Sequence, residues 1–264
     1  MIRARLAALA GLALAIAPVP AGAQTASLSC NDRDRDDDGV RVCEIRESTI
    51  GPRELVTVDA EPNGGIHVRA WDGDGIRLRA RVDARARSGE RAEELVNEVE
   101  LESDGTIRAH GPRTGRREWW SVSFELFVPR GVDLDLRSMN GGIEITGVHG
   151  RIVFQSVNGG VALSGVGGDV RGHTTNGGLD ITLEGTAWDG EGLDVRTTNG
   201  GVDLSIPEGY DARLETSTVN GGLQAQFPVT LQGRIGRDMT LDLGRGGRTI
   251  RVRTTNGGVV LRRP

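Results

Sequence analysis

An Asn-Gly-Gly triplet returns through the chain and restricts what it can fold into. It begins at Asn140, Asn158 and Asn176, eighteen residues apart, and again at Asn199, Asn220 and Asn256 with looser spacing; Asn63 opens an outlying copy. Self-similarity at a fixed short period is the mark of a solenoid. Around each triplet the apolar residues stand two apart. Leu134, Ile152, Val170, Leu193, Leu214 and Ile250 lie six before the Asn, and Leu136, Phe154, Gly172, Val195, Thr216 and Val252 lie four before it. Ile143, Val161, Leu179, Val202, Leu223 and Val259 come three after, with a second apolar column two further on. A period of two predicts strands with one buried face. Ser138, Ser156, Thr174, Thr197, Thr218 and Thr254 share that face, and burial requires their hydroxyls to bond to one another or to the turn backbone.

Two arrangements suit the corner. Gly accepts positive φ and Asn tolerates the left-handed region, so Asn-Gly is a hairpin signal. The same triplet can also be the corner of a coil whose copies stack in parallel, the Asn side chains forming one ladder. A hairpin meander does not need the same residue at every corner, so the repeat favours the coil. The predicted fold is all-β: a β-solenoid of parallel stacked coils of about 18 residues climbing about 4.8 Å each, regular over residues 131–264. Outward positions Asp133, Arg151 and Asp169 alternate in sign and would be neighbours across coils. Arg137, Gln155, His173, Arg196, Ser217 and Arg253 make a mildly basic stripe, read as a solvated face.

Residues 1–23 read as a secretory signal: Arg3 and Arg5, an apolar run from Leu6 to Ile16 too short to span a bilayer, and Ala21-Gly22-Ala23 as the cleavage site. No later segment is apolar enough to span a membrane, so the expected location is periplasmic, cell-surface or secreted. Losing Arg3 and Arg5 takes the formal charge from −5 to −7, which argues against nucleic acid as a partner.

Residues 24–49 form an acidic N-terminal segment closed by Cys30 and Cys43, the only cysteines, which export predicts to be a disulfide. Inside the loop, Asp34, Asp36, Asp38 and Gly39 match the opening of a calcium loop, but Ile45 stands where the closing Glu should be and Arg33 and Arg35 interrupt the run. The reading is a solvated acidic loop, with no cofactor expected and a calcium site as the alternative. Residues 50–130 are β-rich and less regular, with one helix expected from Ser88 to Glu100, capped by Ser88 and carrying Ala92, Leu95, Val96 and Val99 as its apolar stripe. Trp119-Trp120 is read as a cap over the end of a core. From Phe227 to Gly247, residues Val229, Leu231, Met239, Leu241 and Leu243 suggest a closing pair of strands.

The repeated S/T-x-N-G-G unit at Ser138–Ile145, Ser156–Leu163, Thr174–Ile181, Thr197–Leu204, Thr218–Ala225 and Thr254–Leu261, with the connecting Ile206-Pro207-Glu208-Gly209, resembles the bacterial putative-adhesin family of domains of unknown function. The resemblance covers roughly residues 50–264. It implies an all-β solenoid, an exported or envelope location and no established catalytic residues.

No enzyme is expected. His67, His110, His149 and His173 have no metal-ligand spacing, and no G-x-S-x-G elbow occurs. The enzymatic alternative, a parallel β-helix carbohydrate-active enzyme, would need carboxylates converging in a cleft, with Asp180, Asp194 and Asp203 as candidates. The expected role is a non-catalytic exported scaffold or adhesin-like protein presenting flat β faces to a protein, a surface or a polysaccharide. A calcium-dependent binding module is the other alternative.

Overall fold

In a computed structural model, the structure describes residues 28–30, 35–36, 39–227 and 237–264. The expected signal, residues 1–23, and the Val229 and Leu231 part of the expected closing pair lie outside these. Each Asn-Gly-Gly copy is one turn of a coil. A long strand such as Asp133–Asn140 runs into the corner, two glycines turn it, and a short strand such as Ile143–Thr146 leaves. Within the coils, long strands pair with long strands and short with short, so the coils form two parallel stacks. Register is strict: Ile152 stands beside Leu134 and Val170, and Val161 beside Ile143 and Leu179. Both stacks feed one apolar core, in which Leu134, Ile152, Val170, Ile143, Val161 and Leu179 are all buried. Asp133 and Asp169 are half-buried and Arg151 is exposed, and the alternation in sign yields a contact, with Arg151 Nε 3.2 Å from Asp133 Oδ2.

The gap at Gly172 in the column four before the Asn is filled from the neighbouring coil. Phe154 is fully buried, and a Cβ placed on Gly172 would lie 2.5 Å from its ring. A large residue on one coil thus complements a missing one on the next, which keeps the core at interior density.

Two features depart from the sequence expectation. First, spatial order is not chain order. The coil of Thr249–Asn256 and Val259–Arg262 sits between that of Gly192–Asn199 and that of Ala212–Asn220. Chain order therefore holds only as far as Asn199. The outermost long strand, Ala212–Asn220, is then covered by Asp238–Leu243, which pairs with it antiparallel and closes the core with Met239 and Leu241. Capping an open end in this way limits the unpaired edge that a stack of strands would otherwise present. Second, most corner glycines are not there for positive φ. Gly141, Gly159, Gly177 and Gly200 are absent from the positive-φ residues, as are all the corner asparagines; only Gly64 and Gly257 have it, at 159°. The need is close approach: a Cβ on Gly159 would overlap the carbonyl oxygen of Gly141, and a Cβ on Gly177 that of Gly159. Coils about 4.8 Å apart leave no room there for a side chain.

At the other end, the coil of Leu55–Asp59 and Ile66–Trp71 continues the stack, with Asn63 bridged to Asn140. Beyond it, Trp119–Pro129, Ile76–Ala86 and Gly39–Ile50 extend the short-strand sheet, the last two antiparallel. The helix is Gly89–Glu98, shorter than expected at its end, with Ser88 as N-cap and Ala92, Leu95 and Val96 buried. The helix has no basic residue in its last turn; Arg46 from the adjacent strand supplies it, donating to the Val96 carbonyl at 2.8 Å. After Glu184 the period breaks because residues 185–192 wrap the corner opposite the asparagines. Trp188 buries its ring there and donates to the Gly168 carbonyl at 3.0 Å.

Ile152→Ala should cost about 2–5 kcal/mol, as other large-to-Ala core changes do, while Arg151→Ala should cost well under about 1 kcal/mol. Urea denaturation of both variants checks the assignment, and equal shifts would mean that the buried phase is wrong.

Candidate functional site

Every corner Asn joins one ladder. Each Nδ2 donates to the Oδ1 of the Asn before it in space. The distance is 3.2 Å from Asn140 to Asn63, 2.9 Å from Asn158 to Asn140 and 2.8 Å from Asn176 to Asn158. It continues at 2.8 Å from Asn199 to Asn176, 2.7 Å from Asn256 to Asn199 and 2.8 Å from Asn220 to Asn256. Behind it runs a second, buried ladder. The hydroxyls of Thr174, Thr197, Thr254 and Thr218 donate to the first-glycine carbonyl of the preceding coil, at 2.7 to 2.8 Å. Ser138 makes the same bond to Gly64 at 2.9 Å and Ser156 a longer one to Gly141 at 3.4 Å. Of the two arrangements open to these hydroxyls, the bond to turn backbone is the one formed. These asparagines and hydroxyls hold the stack together.

The stack leaves two outer faces. On the short-strand face a shallow groove of about 440 Å³ crosses the coils over Gly142, Gly160, Gly178 and Gly201. His67 and Glu144 pair across it at 3.2 Å, Ala162 leaves a low point, and Asp180 and Asp203 flank the far side. Arg262 reaches Asp180 at 3.3 Å and Asp203 at 3.6 Å. Asp194 lies on the other sheet, held by Arg253 at 2.6 Å and Arg251 at 3.2 Å. The three carboxylates considered for a glycosidase cleft therefore do not converge.

The long-strand face carries the basic stripe. In space it reads Arg137, Gln155, His173, Arg196, Arg253, Ser217. A hollow of about 240 Å³ lies over the outer backbone of Gly172, lined by Gln155, Arg171, His173, Asp194, Arg196 and Arg253. Burial, and secondarily the Arg196 charge, hold the His173 imidazole below its ordinary pKa.

A family profile described as Toastrack DUF4097 matches residues 121–262. The chain belongs to that family. Among solved structures, this Toastrack chain is similar to a putative cell adhesion protein from Clostridium sporogenes ATCC 15579 (9% identity, 84% of this chain and 100% of that one, TM-score 0.46). It is also similar to a putative adhesin from Bacteroides fragilis NCTC 9343 (11%, 83% and 97%, 0.37) and to a putative lipid binding protein from Parabacteroides distasonis ATCC 8503 (11%, 83% and 96%, 0.34). A comparison with curated proteins finds no match.

The Toastrack match begins in strand Trp119–Pro129, and the N-terminal part lies outside it. Cys30 and Cys43 form the expected disulfide, with Cα atoms 5.7 Å apart. Cys43 stands beside Asp83 in the sheet, and the Leu28 amide donates to Glu125 Oε2 at 3.4 Å. The disulfide therefore holds the start of the described chain against the outer face of the sheet. Two nearly inaccessible carboxylates lie on that face, Asp83 with Arg41 and Arg81 and Glu125 with Arg79 and Arg69. Sequence reasoning missed both, since nothing in their spacing distinguishes them from surface charge. Of the calcium candidates, Asp34 and Asp38 lie outside the described residues, and of Asp36 only the backbone is described, paired with Gly39. The histidines are apart: His110 meets Glu102 at 3.2 Å and His149 meets Asp189 at 2.9 Å. Trp120 packs against the core and donates to the Pro112 carbonyl at 2.9 Å, as a cap should, but Trp119 is exposed.

Thr197→Val should cost about 1–3 kcal/mol, because it strips the Gly177 carbonyl of its buried donor. Thr198→Val, one residue away and exposed, should change stability by less than about 0.5 kcal/mol. Chemical denaturation of the pair separates the buried ladder from the surface.

Proposed function

We propose that the chain is an exported, non-catalytic, adhesin-like scaffold that meets a partner at the cell envelope through its flat outer faces. The observation that carries this reading is the strict register of seven stacked coils. Register repeats each outward position about every 4.8 Å along the stack. Repeated weak contacts on a rigid array add through effective concentration, which suits an extended partner more than a small substrate. The disulfide fits an oxidising compartment. Among the described residues no helix is long and apolar enough to cross a membrane. The partner class is a protein, a surface or a polysaccharide.

Expression from the full chain should place the protein outside the cytoplasm with no free thiol under denaturing, non-reducing conditions. The purified mature protein should co-sediment with envelope preparations of the producing cell. A folded protein that stays in the supernatant would refute the adhesin-like role. The Asp34–Asp38 run is taken to hold no tight calcium site. Calorimetry with calcium should show binding no tighter than about 10⁻⁴–10⁻³ M, and micromolar affinity abolished by Asp36→Ala would reassign it.

A further inference from the structure

A short sequence recurs on the long-strand face: His173-Thr174-Thr175-Asn176, Arg196-Thr197-Thr198-Asn199 and Arg253-Thr254-Thr255-Asn256. The third copy is far from the second in the chain but adjacent in space, because its coil is inserted directly after that of Asn199. The insertion therefore sets the His173 imidazole and two guanidiniums in one row and three hydroxyls, Thr175, Thr198 and Thr255, in a parallel row two residues nearer the corner. At about 4.8 Å per coil the rows run about 10 Å from first to third, the span of a disaccharide.

The two guanidiniums are under-compensated. Arg196 is exposed and has no carboxylate partner among the described residues. Arg253 reaches Asp194 through Nη2 at 2.6 Å, but its buried Nε finds no acceptor among them. Asp194 is shared with Arg251. His173 faces Gln155 on one neighbouring strand and Arg196 on the other, with Arg171 and Asp169 on its own strand and Asp194 diagonally across. The hollow beside Gly172 lies among these groups and is sized for one oxyanion with part of a sugar ring.

We propose that this patch binds an acidic polysaccharide, the carboxylate or sulfate seated between His173, Arg196 and Arg253 and the sugar hydroxyls meeting Thr175, Thr198 and Thr255. The assignment rests on the adhesin-like reading and names its ligand. Oxyanions take charge-assisted hydrogen bonds from guanidinium in a fork geometry, and threonine hydroxyls serve sugar hydroxyls as donor and acceptor. A phospholipid surface fits less well. The exposed apolar residues that could enter a bilayer, Met139, Val157 and Val219, belong to other coils.

Binding of the mature, oxidised chain to dextran sulfate, polygalacturonate, neutral dextran and phosphatidylglycerol vesicles tests this. Both acidic polymers should bind, weakening with salt, and neutral dextran should not. Arg196→Gln should weaken binding about tenfold, the loss of one charge-assisted contact, with an unchanged melting temperature, whereas Arg151→Gln on the same face should bind as the wild type does. An anion beside His173 favours the imidazolium, so its titration midpoint, followed by NMR, should rise with dextran sulfate, whose affinity should increase as pH falls through that midpoint. Equal binding of neutral dextran, wild-type affinity in Arg196→Gln, an unmoved His173 titration, or binding to vesicles alone would each overturn the proposal. A chain that ignores both acidic polymers yet co-sediments with envelope loses the ligand and keeps the adhesin-like role; one that does neither loses both.

Discussion

Backbone meets backbone at the Asn-Gly-Gly corner, and the stack is possible only because nothing intervenes there. The first glycine of each corner lies against the carbonyl of the first glycine of the coil before it, too close for any Cβ. That carbonyl is then available to the buried Ser or Thr hydroxyl of the next coil. The Asn amide closes the same corner from the solvent side. One contact distance thus accounts for three residue types in the repeat. It also fixes the register that brings both apolar columns into one core. Stacked backbones with every amide group matched to its neighbour are stable for the reason that cross-β stacks are.

Much of this was legible in the sequence, since a unit repeated six times leaves few alternatives. Columns six and four before the Asn, and three and five after it, are buried except on the Asn220 coil, where Leu223 is half-buried and Ala225 exposed, and at Gly172; Asn140, Asn158 and Asn176 occupy equivalent corners. What failed was the reason given for glycine. Propensity reasoning assigns Asn-Gly-Gly to positive φ, whereas the constraint comes from a neighbouring coil that is distant in sequence. Spatial order after Asn199 failed for a similar cause. A repeat unit says what it can pair with, and all units here pair alike, so nothing local distinguishes the Asn256 coil from its competitors. Asp83 and Glu125 were illegible because their burial depends on strands and a disulfide-held segment brought together only in the fold.

The candidate site shows the same division. The basic stripe could be read from the repeat, and its members face outward as expected. The juxtaposition of Arg196 with Arg253 could not, because it exists only through the inserted coil. Ordinary surface charge and a recognition row look alike in a sequence. They differ in whether acidic neighbours neutralise them. Arg151 has Asp133 and Arg251 has Glu215, while Arg196 faces His173 and Arg253.

The inserted coil also bears on how the molecule is assembled. Residues 212–225 are synthesised well before residues 249–262, yet in the finished stack the later segment lies between them and the rest of the molecule. An emerging chain could pair Ala212–Asn220 directly with Gly192–Asn199, since the register and corner chemistry are the same. That pairing would then have to open to admit Thr249–Arg262. Completion of the stack is thereby tied to the synthesis of residues 249–262. A chain cut short after residue 248 would be missing an internal rung, with strand Ala212–Asn220 deprived of its neighbour Thr249–Asn256.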